Sequence, residues 1–306
     1  MEQKVSLFQK YIQWSKERFP IASALLFAGF LCYVPYLFGS LLGNRPAFSF
    51  LAAIPGVFVI FLVLLHLRIL DEHKDFKQDA AAYPERVLSK GLITLRDLRV
   101  LLYAALVAEI GISLCFGWVQ SLIWFGIMIW SLLMFLEFFA PEFLNRHMSL
   151  YLISHQLIVP LIAWYGLSMS HDLAMADSAM RLIIIFMIGM MCATLTYEIA
   201  RKTCSPDMEQ EHVDTCTKAW GVRTTVVVNQ VVALLAGTAF ALVYDMFRIN
   251  MTFTIILAAL NLFFLLAGLK FAGSPDVKGA RRVKAGGILF MFGLFVNSIA
   301  AFTVGR

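Results

Sequence analysis

The chain has 306 residues, of which 60% are hydrophobic and 15% charged, and its formal net charge is +5. Its mean hydropathy is +0.78, whereas a soluble domain carries about 25% charged residues and far more polar surface. This composition excludes an ordinary soluble enzyme and indicates a polytopic membrane protein. The positive charge requires no nucleic-acid partner, because membrane topology and attraction to anionic lipid account for it.

Residues 1–19 carry charges throughout and contain no short apolar core before a cleavage site, so they are not a signal peptide. Val5, Phe8, Ile12 and Phe19 fall roughly on one helical face. This pattern predicts an amphipathic helix on the cytoplasmic membrane surface. The rest of the chain, 20–306, is predicted to form a single transmembrane domain.

Nine segments within 20–306 are apolar and approach the roughly twenty residues that a bilayer crossing needs. The predicted spans are 20–42, 48–67, 98–116, 118–139, 149–168, 180–199, 223–245, 251–272 and 284–304. Because backbone polar groups must be satisfied inside the bilayer, the fold class is an all-α, polytopic membrane helical bundle.

Most of the 25 lysines and arginines lie in the N-terminal segment or in connections that follow even-numbered spans. The positive-inside rule therefore predicts a cytoplasmic N-terminus and a C-terminus outside. The two long connections, 68–97 and 198–222, lie on the cytoplasmic side and are both acidic. Because the second follows four spans after the first, we expect two four-helix halves facing one cavity that opens to the cytoplasm, with the ninth helix appended.

The first long connection contains a ladder of acids. They are Asp71, Glu72, Asp75 and Asp79. Residues four apart on a helix share one stripe, and stacked carboxylates repel one another unless a counter-charge is present. Lys74 and Lys77 offer one such counter-charge. Divalent cations offer another, because Mg²⁺ is usually held by one or two carboxylates together with substrate phosphates.

These residues resemble the first signature, NDxxDxxxD, of the UbiA superfamily of intramembrane prenyltransferases, which includes terpene-cyclase relatives. The ladder is followed by Arg86 and Gly91, as in that signature, and the acidic segment 197–221 resembles the second signature. Asp71 stands in place of the usual Asn, and Val87 stands where Pro often follows the arginine. The second segment is rich in Glu and carries Arg201 and Lys202 within it. The resemblance extends to the whole architecture of nine helices.

The resemblance implies that both acidic segments bind Mg²⁺ and, through it, the diphosphate of a prenyl donor. The implied metal ligands are Asp71, Glu72, Asp75, Asp79, Glu198, Asp207 and Glu211. The implied diphosphate contact is Arg86. The residues themselves add further candidates for diphosphate binding, which are Arg146, Arg201, Lys202 and Asn229. The implied catalytic residues are Asp71, Asp75 and Glu198. His155 and Glu137 are ionisable residues at the cytoplasmic ends of two spans, and either could take a proton in the final step.

The leading hypothesis is an Mg²⁺-dependent enzyme that ionises an allylic prenyl diphosphate and transfers the prenyl group to a lipophilic or aromatic acceptor. The alternative is a terpene cyclase that converts a donor such as farnesyl diphosphate to a cyclic terpene without an acceptor. A secondary transporter is less favoured, because its charged site would lie near the membrane midplane, and here only Glu109 lies deep. Glu109 is expected to be a buried structural carboxyl or a catalytic base, and His66 is expected at the membrane interface.

Overall fold

A computed structural model describes residues 6–43, 49–170, 177–210 and 213–305, and these residues form helices joined by short connections. In chain order the helices are α1 (Leu7–Arg18), α2 (Ile21–Leu42), α3 (Phe50–Lys74), α4 (Phe76–Ala82), α5 (Leu95–Phe116), α6 (Trp118–Phe135), α7 (Pro141–Arg146), α8 (Met148–Gln156), α9 (Ile158–Ser168), α10 (Asp177–Arg201), α11 (Cys216–Trp220), α12 (Val222–Met246), α13 (Met251–Gly273) and α14 (Val277–Val304). Short 3₁₀ turns cover Glu137–Phe139 and Pro206–Met208.

Within the described ranges, nine helical segments are long and apolar enough to cross a membrane. They are α2, α3, α5, α6, the pair α8–α9, α10, α12, α13 and α14. The prediction of an all-α membrane bundle is confirmed, and the protein is a multi-pass integral membrane protein.

The spanning helices pack as two rings that share a seam. In the first ring, α2, α3, α5, α6 and α9 pack in sequence, and α2 closes the ring against α9. In the second, α10, α12, α13 and α14 pack in sequence, and α14 closes it against α10. The expected division into two four-helix halves with an appended ninth helix is therefore wrong. Small residues bring α14 close to α10: a Cβ added at Gly287 would lie 2.5 Å from the Cβ of Ala200.

The predicted N-terminal helix is present as α1 and is docked onto the protein. Its Trp14 is buried, and its Tyr11 hydroxyl donates to the Asp97 carbonyl at 2.8 Å. The Val87 amide donates to Glu17 Oε2 at 3.0 Å. These contacts fix α1 against the segment that follows α3.

The acidic ladder does not lie on one continuous helix. Helix α3 ends at Lys74, Asp75 occupies the cap with φ −96° and ψ 6°, and α4 starts at Phe76. The backbone amides of Asp75 and Asp79 still donate to the carbonyls four residues earlier, at 2.9 Å and 2.8 Å.

His66 does not lie at the membrane interface as expected. It is fully buried, with Nδ1 2.8 Å from Glu109 Oε1 and Nε2 3.0 Å from Ser131 Oγ. Trp124 Nε1 donates to the second oxygen of Glu109 at 2.8 Å. This satisfied network joins α3, α5 and α6, which supports the structural interpretation of Glu109.

Candidate functional site

Two acids of the first motif form no salt bridge within the described part of the chain, although Arg68 and Lys74 lie within electrostatic range of both. Among the described residues, Asp71 and Asp75 make no side-chain hydrogen bond and no ion pair. Both are half-buried. Burial raises the pKa of Asp75 to about 6, against the lowering effect of Lys74, and the charges of Asp71 and Asp79 raise it further. A desolvated carboxylate without a partner is a ready ligand for a cation.

The other two acids of this motif are neutralised by arginines. Arg18 on α1 lies between them, with Nε 2.5 Å from Glu72 Oε1 and Nη2 2.6 Å from Asp79 Oδ2. Glu72 also pairs with Arg68 at 2.9 Å, and Asp79 lies 2.9 Å from Arg86 Nη1. The structure thus gives Glu72 and Asp79 guanidinium partners, where the sequence predicted metal.

The second acidic segment approaches the first. Glu198, near the end of α10, forms an ion pair with Arg201, whose Nη2 lies 2.6 Å from Oε1. Electrostatic interactions link Asp71 to both Glu198 and Arg201, so the ends of α3 and α10 face one another as the sequence predicted. No acid among the described residues pairs with the ammonium of Lys202.

Tyr151 on α8 lies between the two acidic segments, and the sequence analysis missed it. Lys202 Nζ lies 4.9 Å from the centroid of its ring, and Lys74 Nζ lies 5.7 Å from it. Its hydroxyl interacts electrostatically with carboxylates from both segments. These are Asp71, Asp75 and Glu198, and the hydroxyl interacts in the same way with Glu137, which lies outside both segments. The available signal was its position one helical turn before His155, on the same face.

His155 stacks on Tyr151 with a centroid separation of 4.0 Å. Its Nδ1 lies 2.8 Å from the Tyr151 carbonyl, and since a carbonyl only accepts, Nδ1 carries the proton. Nε2 is buried and has no partner among the described residues. A neutral His155 therefore holds a free lone pair inside the site, and this lone pair can accept a proton.

Glu137 is presented by a strained turn. Glu137, Phe138 and Phe139 have φ of 48°, 52° and 58°, a left-handed conformation that bulky residues rarely adopt. The turn places Glu137 Oε1 3.9 Å from Lys74 Nζ and the Phe138 ring 6.0 Å from His155. Strain of this kind persists where surrounding structure imposes it, often at functional sites.

Comparison with known proteins identifies this architecture. No family model and no curated protein sequence matches the chain. A structure from a study of digeranylgeranylglyceryl phosphate synthase in membranes matches with a TM-score of 0.68 and 15% identity, over 98% of this chain and 99% of that one. A UbiA homologue from Aeropyrum pernix K1 matches with a TM-score of 0.64 and 12% identity, over 90% and 97%. A UbiA homologue from Archaeoglobus fulgidus, solved with GPP and Mg²⁺, gives 0.62 and 14%, over 94% and 99%.

The chain has the UbiA fold. At these identities the likeness establishes the architecture, which matches the superfamily that the two acidic motifs resemble.

Some predicted residues are not brought into contact with the carboxylates by this UbiA fold. Arg146 is exposed at the end of α7, in a surface depression that also contains Glu142 and His147. Asp207 is exposed in the 3₁₀ turn Pro206–Met208, and Glu211 lies outside the described residues. In the described ranges, no group of three or more His, Cys, Asp or Glu side chains is close enough to hold a metal ion by itself.

Asn229 on α12 differs from these residues because it is buried. Only 2% of it is exposed, and both amide atoms lack a partner among the described residues. Its neighbours Val228 and Val232 pack on a small cluster that includes Leu152 and Ile199, beside the ends of α8 and α10. A buried amide without partners is costly, and a bound ligand would satisfy it.

The second acidic segment also contains a structural acid that the sequence did not single out. Glu209 accepts hydrogen bonds from the Thr215 and Thr217 hydroxyls, each at 2.7 Å. The Thr217 hydroxyl in turn accepts from the Cys204 amide at 3.0 Å. These hydrogen bonds join the two ends of the connection between α10 and α11 next to the end of α10.

Proposed function

We propose that this protein is an Mg²⁺-dependent intramembrane enzyme that ionises an allylic prenyl diphosphate and transfers the prenyl group to a lipophilic or aromatic acceptor. The observation that carries this proposal is the arrangement around Tyr151, which interacts with Asp71 and Asp75, two carboxylates in no salt bridge, and whose ring lies 4.9 Å from the ammonium of Lys202. A homologue of the same fold has been solved with GPP and Mg²⁺, which supports a prenyl diphosphate substrate.

The residues present suit magnesium. Asp71 and Asp75 offer hard carboxylate oxygens that no arginine occupies, and Glu198 lies within electrostatic range of Asp71. The described residues hold no larger ligand group, which suits Mg²⁺ because this ion keeps waters and completes its shell with substrate phosphates. When bound, the ion would supply positive charge to stabilise the departing diphosphate.

The cationic side chains around Tyr151 would bind the diphosphate oxygens. Lys202 forms no ion pair with an acid in the described ranges, and Lys74 Nζ lies 3.9 Å from Glu137 Oε1. Arg201 lies one turn from Glu198 and can turn from it to a phosphate, since guanidinium groups bind both anions in the same bidentate manner. Arg86 has one nitrogen, Nη1, that makes no aligned hydrogen bond, although it lies 2.9 Å from Asp79.

His155 is the proposed proton acceptor. Transfer to an acceptor hydroxyl or aromatic carbon, and closure to an alkene, both end with loss of a proton from the product. The free Nε2 of His155 lies inside the site and can take that proton, and Glu137 is the neighbouring carboxylate. We place this end of the bundle on the cytoplasmic side, because the connections at this end carry most of the basic residues.

The test uses purified protein in nanodiscs with Mg²⁺ and labelled geranyl, farnesyl and geranylgeranyl diphosphates, with and without lipid and aromatic extracts. We expect labelled adducts only with an acceptor, and none in excess EDTA. Extractable cyclic terpene without an acceptor would instead establish the cyclase. Asp75→Ala should abolish turnover, and Glu85→Ala, which removes an exposed acid of the same connection, should retain it. Full turnover by Asp75→Ala, or in EDTA, would contradict the proposed function.

A further inference from the structure

A groove runs along the outside of the second ring, between α13 and α14, at the end of the bundle that carries the carboxylates. Its volume is about 380 Å³, within the range of about 300–1,000 Å³ typical of small-molecule sites. It is lined by Phe263, Leu266, Ala267 and Lys270 of α13 and by Arg282, Ala285, Gly286 and Leu289 of α14.

The two helices form the groove from matching stripes. Each contributes residues at i, i+3, i+4 and i+7, which share one helical face. The middle of the α14 stripe is small, with Ala285 and Gly286, and a Cβ added at Gly286 would lie 3.1 Å from the Phe264 ring. On each helix the basic residue lies seven positions from a large apolar residue. Lys270 follows Phe263 on α13, and Arg282 precedes Leu289 on α14. The groove therefore descends about 10 Å from a basic rim to an apolar base.

The two basic residues at the rim lack counter-ions. Lys270 and Arg282 are exposed, and neither forms an ion pair with any residue in the described ranges. The acid of the connecting turn, Asp276, caps α14 by accepting from the Gly279 amide. At the base, Phe263 and Leu289 are about half exposed, on the surface that faces lipid.

We propose that this groove binds one anionic phospholipid. The headgroup phosphate would lie between Lys270 and Arg282, and an acyl chain would follow Phe263 and Leu289. Two unpaired cations above an apolar channel match the charge and shape of such a lipid, and basic pockets between membrane helices bind anionic headgroups. A zwitterionic lipid fits less well, because its own ammonium would lie near two like charges.

The test is native mass spectrometry of the full chain in detergent, titrated with phosphatidylglycerol or phosphatidylcholine. We expect Lys270→Gln/Arg282→Gln to weaken phosphatidylglycerol binding about thirtyfold, from about fivefold per basic residue. The matched control, Lys278→Gln/Arg281→Gln, removes the same charge from the same end of α14 without altering the groove, and should bind as the wild type does.

A second variant separates the groove from a merely basic surface. Ala285→Leu fills the depression and keeps both charges, so it should also weaken phosphatidylglycerol binding. Three results would each overturn the proposal: equal binding of the two lipids by the wild type, equal losses in both double variants, or full binding by Ala285→Leu. Melting temperatures of all variants establish that they are folded, since every substituted side chain is exposed.

Discussion

Replacing Asp75 by asparagine should stabilise the metal-free protein while removing its response to magnesium. The pKa of Asp75 is raised to about 6 from an ordinary 3.8, chiefly because burial disfavours its charge. The folded state therefore holds the proton more tightly than the unfolded state. The resulting cost of folding is absent below about pH 3.8 and fully present above about pH 6. Asparagine has a similar shape and carries no charge, so it avoids this cost.

The magnitude follows from the two pKa values. At pH 8 the cost is about 3 kcal/mol, and at pH 5, where the folded carboxyl is largely protonated, about 1.6 kcal/mol remains. Partial exposure of the side chain reduces both values. We therefore expect Asp75→Asn to unfold at a higher temperature than the wild type in EDTA at pH 8, with a smaller difference at pH 5.

The assay is thermal unfolding in detergent at both pH values, with EDTA or with millimolar Mg²⁺. Magnesium should stabilise the wild type at pH 8 and leave Asp75→Asn unchanged. Asp79→Asn is the control, because Asp79 is already paired with Arg18 and Arg86, and its loss should destabilise the protein. If Asp75→Asn is less stable than the wild type in EDTA at pH 8, the reasoning from a partnerless carboxylate is refuted.

Three further variants test other contacts. Arg18→Ala leaves Glu72 and Asp79 without a major partner and should lower the free energy of unfolding by about 3 kcal/mol in denaturant titrations; unchanged stability would mean that α1 is dispensable. Lys202→Met should raise the KM for prenyl diphosphate about tenfold by removing a charged hydrogen bond. The control Lys90→Met, at an exposed site, should leave this KM unchanged. Equal KM values for Lys202→Met and the wild type would exclude Lys202 from diphosphate binding. His66→Leu should lower the free energy of unfolding by about 3 kcal/mol, because Glu109 stays buried without its histidine partner, and His66→Leu/Glu109→Leu should recover part of this loss. A double variant no more stable than His66→Leu would argue against the pair.

The existence of the spans was predictable because the length of each run of apolar residues determines it. The residues at which the spans end were harder to predict. The fourth span was predicted as 118–139, whereas α6 ends at Phe135. The apolar run continues through Phe138 and Phe139, and no glycine marks the left-handed turn there. In the other direction, α3 continues to Lys74 rather than ending at 67, since helical hydrogen bonding continues through the charged residues at the membrane edge.

The site was predictable where chemistry is local in the sequence and less so where it depends on distant contacts. The spacing of Asp71 and Asp75 marked the carboxylates, and the sidedness of the connections predicted that they face Glu198. The roles of Glu72 and Asp79 could not be predicted, because their partner Arg18 lies 54 and 61 residues away. Tyr151 was missed because an aromatic residue in a span ordinarily packs against lipid or another helix.

The docking of α1 also constrains how the protein is made. The ribosome delivers α1 before its partners, because Glu72 lies at the end of the second span and Val87 and Asp97 follow that span. Until then Arg18 has no carboxylate to bind, and the amphipathic helix α1 stays undocked on the membrane surface. A nascent chain arrested before residue 97 therefore keeps α1 undocked, and protease sensitivity at its start reports how far assembly has proceeded.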